Sequence, residues 1–444
     1  MKVSLTQYIQ RISIALILLY PLTYLGLGNK YPWIMLGAHG IGIGCLFFSI
    51  ATMLIIFGAF KFELEKIKSL ELFFRINLIL ALIVTLAYDA IQYHHFKSIG
   101  YQNPLLLYVF DIICIIAGSF YVFTKPSIQK LFALGSLLFI IHLLMSIHYF
   151  PLVIGRSDML LSIKFVNVSF LNGTNPYLHS IAEGHAIPNY LPGTFFSYLP
   201  ANLIAIDPRY IGLIYTIIFL YLIYKELPKL NTNAALLLIL LVINPYWNFR
   251  HELYFQLFLL ELVLLYLYFP RFNWIFKIIF LGIFISTYQF ALILFPFIMF
   301  SYTKNLKELI LHVIAIVLIV FLIISYYVHF NYLAFFHTGF VFKGVYLRPY
   351  GGDITLAISP IFYFASTQKW LYFSQIIGTL LFLLNACYQY LIKHNRQSSY
   401  YMLQGTLCYT YFIITNYFID TYFLILIILA LALVNQKNLQ KPFS

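Results

Sequence analysis

The stretch "WIFKIIFLGIFISTYQFALILFPFIMFSYTK", Trp274 to Lys304, decides how this chain is arranged. It is apolar over most of its length, apart from Lys277 near its start and the polar knot Ser286-Thr287-Tyr288-Gln289 at its middle. Read as one helix it is a single long span. Read as two, it is a pair of short legs meeting at Gln289. The choice fixes the side on which every later segment emerges.

Composition says what kind of chain holds this stretch. Of its 444 residues 62% are hydrophobic and only 9% charged, which excludes a large water-facing surface. Apolar runs near the length that crosses about 30 Å of hydrocarbon recur throughout. The runs are continuous, without the alternation of a barrel strand. The fold expected is all-α: a polytopic integral membrane protein of 12–14 helices. Spans are read at 12–28, 35–60, 72–92, 104–123, 131–152, 210–224, 233–247, 253–269, 273–287, 289–302, 308–328, 370–392, 400–416 and 420–435. Lys2 and Arg11 precede the first run, and with no small-residue cleavage site after it an uncleaved span is expected. The cysteines Cys45, Cys114, Cys387 and Cys408 fall inside apolar runs without metal-ligand or disulfide spacing.

The net charge of +13 is explained by topology, and no nucleic-acid partner is expected. With a cytoplasmic N-terminus and the 273–302 stretch broken in two, 18 of the 27 Lys and Arg residues fall on the cytoplasmic side and 9 outside. This is the positive-inside bias of membrane proteins. An unbroken span would move Lys304, Lys307 and all that follows to the opposite side, so the charges favour the break. Both termini are then cytoplasmic and the long loops, 153–209 and 329–369, face outward. The chain divides into N-terminal spans 1–152, an external loop 153–209, a core 210–328, a second loop 329–369 and C-terminal spans 370–444. No internal repeat, low-complexity tail or soluble domain is visible.

The first long loop opens with "GRSDMLLSIKFVNVSFLNGTNPY", Gly155 to Tyr177. Ser157 or Asp158 can cap a helix by satisfying the free N–H groups of its first turn. Leu160, Leu161, Lys164, Phe165 and Val168 follow at helical spacings and predict a short helix lying in the membrane interface. Gly173 ends it, and Pro176 pushes Asn175 out of the helical region. The residues alone leave Asp158 as either a cap paired with Arg156 or a functional carboxylate.

An aspartate after a span, an interfacial helix, "NGTNPY" and then "YLPGTFFSYLP" (Tyr190 to Pro200) together resemble the GT-C superfamily of membrane glycosyltransferases. The likeness is nearest to the bacterial type that uses polyprenyl-phosphomannose. It covers roughly 155–302, and the rest only by topology. The resemblance implies that Asp158 is the catalytic base. It also matches Gly173, Asn175, Pro176 and Tyr177 to the family's turn, and Tyr190, Pro192 and Pro200 to its following segment. Five predicted spans precede Asp158 here, where family members have one. Serine precedes Asp158 where many members carry a second acid, which leaves a divalent metal an open question. Gln289 stands at the tip of the short-legged hairpin, where the family often has a lysine near the donor.

The chemistry agrees with these residue types. Transfer of a sugar from a lipid phosphate needs a carboxylate to take the acceptor's proton. It also needs cations where charge gathers on the departing phosphate. One carboxylate suffices for direct displacement with inversion. Lys343 and Arg348, among the aromatics and glycines of the second loop, are the donor-phosphate candidates, with Arg offering a planar fork. Arg250, His251 and Glu252, in "NPYWNFRHE", are substrate-binding candidates or interfacial anchors beside Tyr246 and Trp247.

Asp89, Asp111 and Glu261 lie within predicted spans, where acids are costly and often functional. The sequons at Asn167 and Asn172 read as incidental. The expected protein is an inverting hexosyltransferase, mannose-like in its sugar, at the outer face of a bacterial plasma membrane. Its partners would be a polyprenyl-phosphate sugar donor, a glycan, glycolipid or protein acceptor, and membrane lipids. The rival readings are a polysaccharide polymerase or ligase, which would not need Asp158, and a flippase or transporter for lipid-linked sugar.

Overall fold

A computed structural model describes residues 35–36, 41–42, 75, 79, 82–83, 86, 90, 103–124, 126–150, 152, 158–176, 191–230, 235, 239, 255–287, 289–329, 331–332 and 368–395. Helices dominate this set: α1 Leu105–Phe123, α2 Ile128–Tyr149, α3 Asp158–Leu171, α4 Pro192–Leu203, α5 Pro208–Glu226, α6 Phe255–Val263, α7 Trp274–Thr287, α8 Gln289–Tyr302, α9 Leu306–Tyr327 and α10 Gln368–Leu391. A 3-10 turn, Leu227–Lys229, extends α5, and a π turn, Leu264–Tyr268, extends α6. Each expected span that falls on well-described residues is a helix, with ends shifted by a few residues. The expected spans 12–28, 400–416 and 420–435 lie outside the described residues, as do most of 72–92 and 233–247.

Among the described residues, four helices are long and apolar enough to cross a membrane: Leu105–Phe123, Ile128–Tyr149, Pro208–Lys229 and Leu306–Tyr327. At 1.5 Å per residue, 22 residues reach about 33 Å, the thickness of the hydrocarbon layer. Helices of this length and composition are compatible with an integral membrane protein. The run expected to form a span over 35–60 begins differently: Met35–Leu36 pairs antiparallel with Ile41–Gly42. Gly37, Gly40, Gly42 and Gly44 crowd this region, and glycine is a poor helix former.

Local signals set several helix starts. Ser127 Oγ accepts from the Lys130 N–H to open α2. Asp207 accepts from the Arg209 N–H at 2.9 Å to open α5, with Pro208 in its first turn. At α9, Asn305 Oδ1 accepts from the Glu308 N–H at 2.9 Å, and the Glu308 carboxylate reaches back to the Lys304 N–H at 2.7 Å. That reciprocal pattern is a capping box shifted by one residue.

The chain forms two compact units, one of residues 64–265 with 325–335, the other of 1–63, 266–324 and 336–444. In the first, α1 packs on α2, α2 and α6 pack on α5, and α3 packs on α4. A Cβ at Gly118 of α1 would come within 2.9 Å of the Leu82 Cδ1 methyl, which would have to shift.

In the second unit the break in Trp274–Lys304 is explicit. The helices α7 and α8 are separated only by Tyr288. Lys277, in the first turn of α7, places Nζ 5.5 Å from the ring centroid of Tyr302, the last residue of α8. Phe269, just before α7, packs its ring edge-on at 4.1 Å from that of Tyr302. In one continuous helix Lys277 and Tyr302 would stand about 37 Å apart. The chain therefore reverses between α7 and α8 into a hairpin with legs of 14 residues. Gly282 lets α7 close on α9, since a Cβ there would meet Ile319 at 2.5 Å.

Candidate functional site

The turn "NGTNPY" is where helix α3 is brought to a stop and tied to a distant segment. Gly173 adopts φ 75°, in the left-handed region that glycine enters without a Cβ clash. Its N–H donates to Phe170 O at 3.0 Å, and the Thr174 N–H donates to Ser169 O at 3.0 Å. This pair of bonds is a Schellman motif, which satisfies the last carbonyls of the helix. The next residue, Asn175, is buried at 6% exposure. Its Nδ2 donates to Val328 O at 2.9 Å and more weakly to Asn331 O at 3.4 Å. Val328 follows the end of α9, and Asn331 lies at the start of the second long loop. A turn of the first loop thus holds the root of the second.

A buried polar seam runs beside this link. Tyr327 OH donates to Asn167 Oδ1 at 2.8 Å, and Asn167 Nδ2 donates to Phe195 O at 2.9 Å. Asn167 has 0% exposure, as does Tyr327. Both functional ends of the asparagine are engaged, which a fully buried amide requires. The ring of Phe170 stacks on Tyr327 at 4.4 Å and on His329 at 5.7 Å. His329 itself holds φ 48°, a strained conformation for a non-glycine residue. So α3, α4, the end of α9 and the first residues after it form one packed cluster.

The first long loop is also closed at its base. Arg209, 3% exposed, makes a forked pair with Asp207 at 2.6–3.0 Å. The same guanidinium donates to Phe150 O at 2.5 Å and Ile147 O at 3.2 Å. Those carbonyls lie at the C-terminal end of α2, whose partial negative charge favours a cation. The start of α5 is therefore locked to the end of α2, on either side of the loop.

The expected site residues fall unevenly on this frame. Asp158 is the first residue of α3, and its side chain lies outside the described residues. Asn175 stands just beyond the other end of that helix, about 20 Å from Asp158 along its axis. The two are not brought together; the helix holds them apart. Gln289 is the first residue of α8, its side chain likewise outside the described set. Tyr177, Tyr190, Arg250, His251, Glu252, Lys343 and Arg348 lie outside the described residues. Pro192 opens α4 and is buried, while Pro200 lies inside it.

Two residues of the cluster were not picked out as site candidates: Asn167, read only as an incidental sequon, and Tyr327. A signal existed for the first. Leu160, Ile163, Val166 and Phe170 are the buried apolar positions of α3, and Asn167 lies on the same stripe. A polar residue on an apolar stripe calls for a partner. Its burial also removes the sequon at Asn167 from the surface. The face expected to contact the membrane is outward only in part: Lys164 and Val168 are exposed and Leu161 and Phe165 half-buried, but Leu160 is buried in the core.

A second polar pair lies within the membrane-spanning helices α1 and α2. His142 Nε2 stands 3.6 Å from Asp111 Oδ1, with both side chains almost fully buried. They line one side of a cavity of about 80 Å³ whose other walls include Phe110, Cys114, Leu134, Leu138 and Phe139. Glu261 is also buried, on α6. Among the described residues no three His, Cys, Asp or Glu side chains gather as a set of metal ligands. No protein family, curated protein or solved structure matches this chain.

Proposed function

We propose that this chain is an inverting glycosyltransferase that moves a hexose from a polyprenyl-phosphate donor to a glycan, glycolipid or protein acceptor. The observation that carries the reading is the bond from Asn175 to Val328 and Asn331. It couples the loop that bears the candidate base to the loop that bears the candidate phosphate-binding cations. A transferase of this kind needs both in one place, and the sequence separates them by well over a hundred residues.

In this reading Asp158 takes the proton of the acceptor hydroxyl as the oxygen attacks the anomeric carbon and the lipid phosphate departs. Arg348 and Lys343 stabilise the charge that builds on that phosphate. Asn175 is a positioning residue, because α3 separates it from Asp158. The apolar outer face of α3 rests at the membrane interface, where a lipid-borne sugar arrives sideways from the bilayer. The donor's entry from the bilayer also accounts for a chain this poor in water-facing surface. The site faces the outside of the cell, with both termini cytoplasmic.

The test uses the full chain in liposomes with a radiolabelled polyprenyl-phosphate hexose and membrane glycolipid acceptor. Transfer by the wild type, lost in both Asp158→Asn and Arg348→Ala, supports the reading. Transfer that survives Asp158→Asn but not Arg348→Ala indicates the polymerase or ligase instead. Movement of lipid-linked sugar across the bilayer without product indicates a flippase.

A further inference from the structure

We infer that the open end of the α7–α8 hairpin binds the headgroup of an anionic phospholipid. The inference rests on the hairpin alone and is independent of the transferase reading.

Four cations gather where the hairpin begins and ends: Arg271, Lys277, Lys304 and Lys307. Between residues 266 and 308 the sequence offers one acid, Glu308, whose carboxylate accepts from the Lys304 N–H at 2.7 Å and also attracts Lys277, so four cations face one anion. Lys277 Nζ lies 5.5 Å from the ring centroids of both Phe269 and Tyr302. The Arg271 guanidinium lies 5.8 Å from that of Tyr268. A ring face attracts a cation, yet it offers no acceptor for the ammonium protons. A phosphate supplies both the charge and the acceptors.

Two observations select a lipid over a soluble anion. Trp274, Phe276 and Leu306 stand beside the cations with 60%, 65% and 54% exposure, an apolar rim fit for acyl chains. The hairpin legs of 14 residues span about 21 Å against about 30 Å of hydrocarbon. The bilayer must thin, or one end of the hairpin must sit below the headgroups. A cationic end resolves this by drawing lipid phosphates down to itself.

The experiment places the full chain in nanodiscs of phosphatidylcholine, with or without phosphatidylglycerol, and measures thermal unfolding. Phosphatidylglycerol raises the midpoint of the wild type by several degrees and is retained in native mass spectra. The double variant Lys277→Gln, Lys304→Gln loses most of that shift, and inorganic phosphate added to phosphatidylcholine discs gives none. Equal midpoints in the two lipids, or a full shift in the double variant, overturn the inference. An equal shift with inorganic phosphate also overturns it, in favour of a soluble anion. Should the variant not fold, a photoreactive phosphatidylglycerol on the wild type decides. Labelling of peptides 268–277 or 302–307 supports the site, and labelling confined elsewhere refutes it.

Discussion

The Nδ2 of Asn175 donates to the carbonyl of Val328 at 2.9 Å, across 153 residues of sequence. The turn that ends α3 is thereby anchored to the residue that follows α9. A buried amide bonded to carbonyls that have left their own helix is a strong constraint on both partners.

Replacing that amide tests the constraint. Asn175→Ala removes the side-chain donor to Val328 O, which keeps the Asn331 N–H at 2.9 Å, and costs about 1 kcal/mol of stability. Limited proteolysis within 329–369 should speed up, and the transfer proposed above should fall with it. Unchanged cleavage of that loop would show that Asn175 does not hold it.

The seam beside it allows a second test. Tyr327→Phe removes the donor to Asn167 and costs about 1–2 kcal/mol. Asn167→Leu costs more, because the bond to Phe195 O is lost as well. The double variant should cost less than the sum of the singles, since the two share one bond. Strict additivity in denaturation experiments would contradict the pairing.

At the base of the first loop, Arg209→Leu leaves Asp207 and two helix-end carbonyls without their cation. The expected cost is about 3 kcal/mol. Arg209→Lys should recover only part of it, because an ammonium cannot match the forked contact with Asp207. Equal stability of the lysine variant and the wild type would refute the role of the fork.

Two left-handed positions predict effects of opposite sign. Gly173, at φ 75°, has open space around its missing Cβ, so Gly173→Ala is penalised by backbone conformation alone, by about 1 kcal/mol. Ala205, at φ 53°, ends α4 with the same bond pattern, from the Ile206 N–H to Ala201 O. There Ala205→Gly is expected to stabilise by up to about 1 kcal/mol. Thermal midpoints moving the same way in both variants would contradict this account.

Within the membrane helices, His142→Leu removes the imidazole from beside a buried carboxylate. A loss of about 3 kcal/mol is expected. The double variant Asp111→Leu, His142→Leu should be less destabilised than the single, because an apolar pair suits an apolar cavity. A double variant worse than the single would indicate further duties for Asp111.

Much of the architecture was legible from single stretches. The lengths of the apolar runs located α1, α2, α5 and α9 within a few residues, because span length answers to bilayer thickness. The positive charges after residue 302 called for a break near Gln289, and the contact of Lys277 with Tyr302 bears it out. Gly173 was readable as a helix stop, since the left-handed region admits little else.

What the tertiary structure alone decided is which buried polar groups meet. Asn175 stood out in the sequence for its place in a turn, but nothing local named Val328 as its acceptor. Asn167 passed as an incidental sequon until Tyr327 and Phe195 closed on it, and nothing local to Arg209 placed it against the carbonyls at the end of α2. Helix length and polarity answer to the solvent around each segment and can be read a few residues at a time. A hydrogen bond in a dry interior depends on who arrives from far along the chain, and only the packed fold records that.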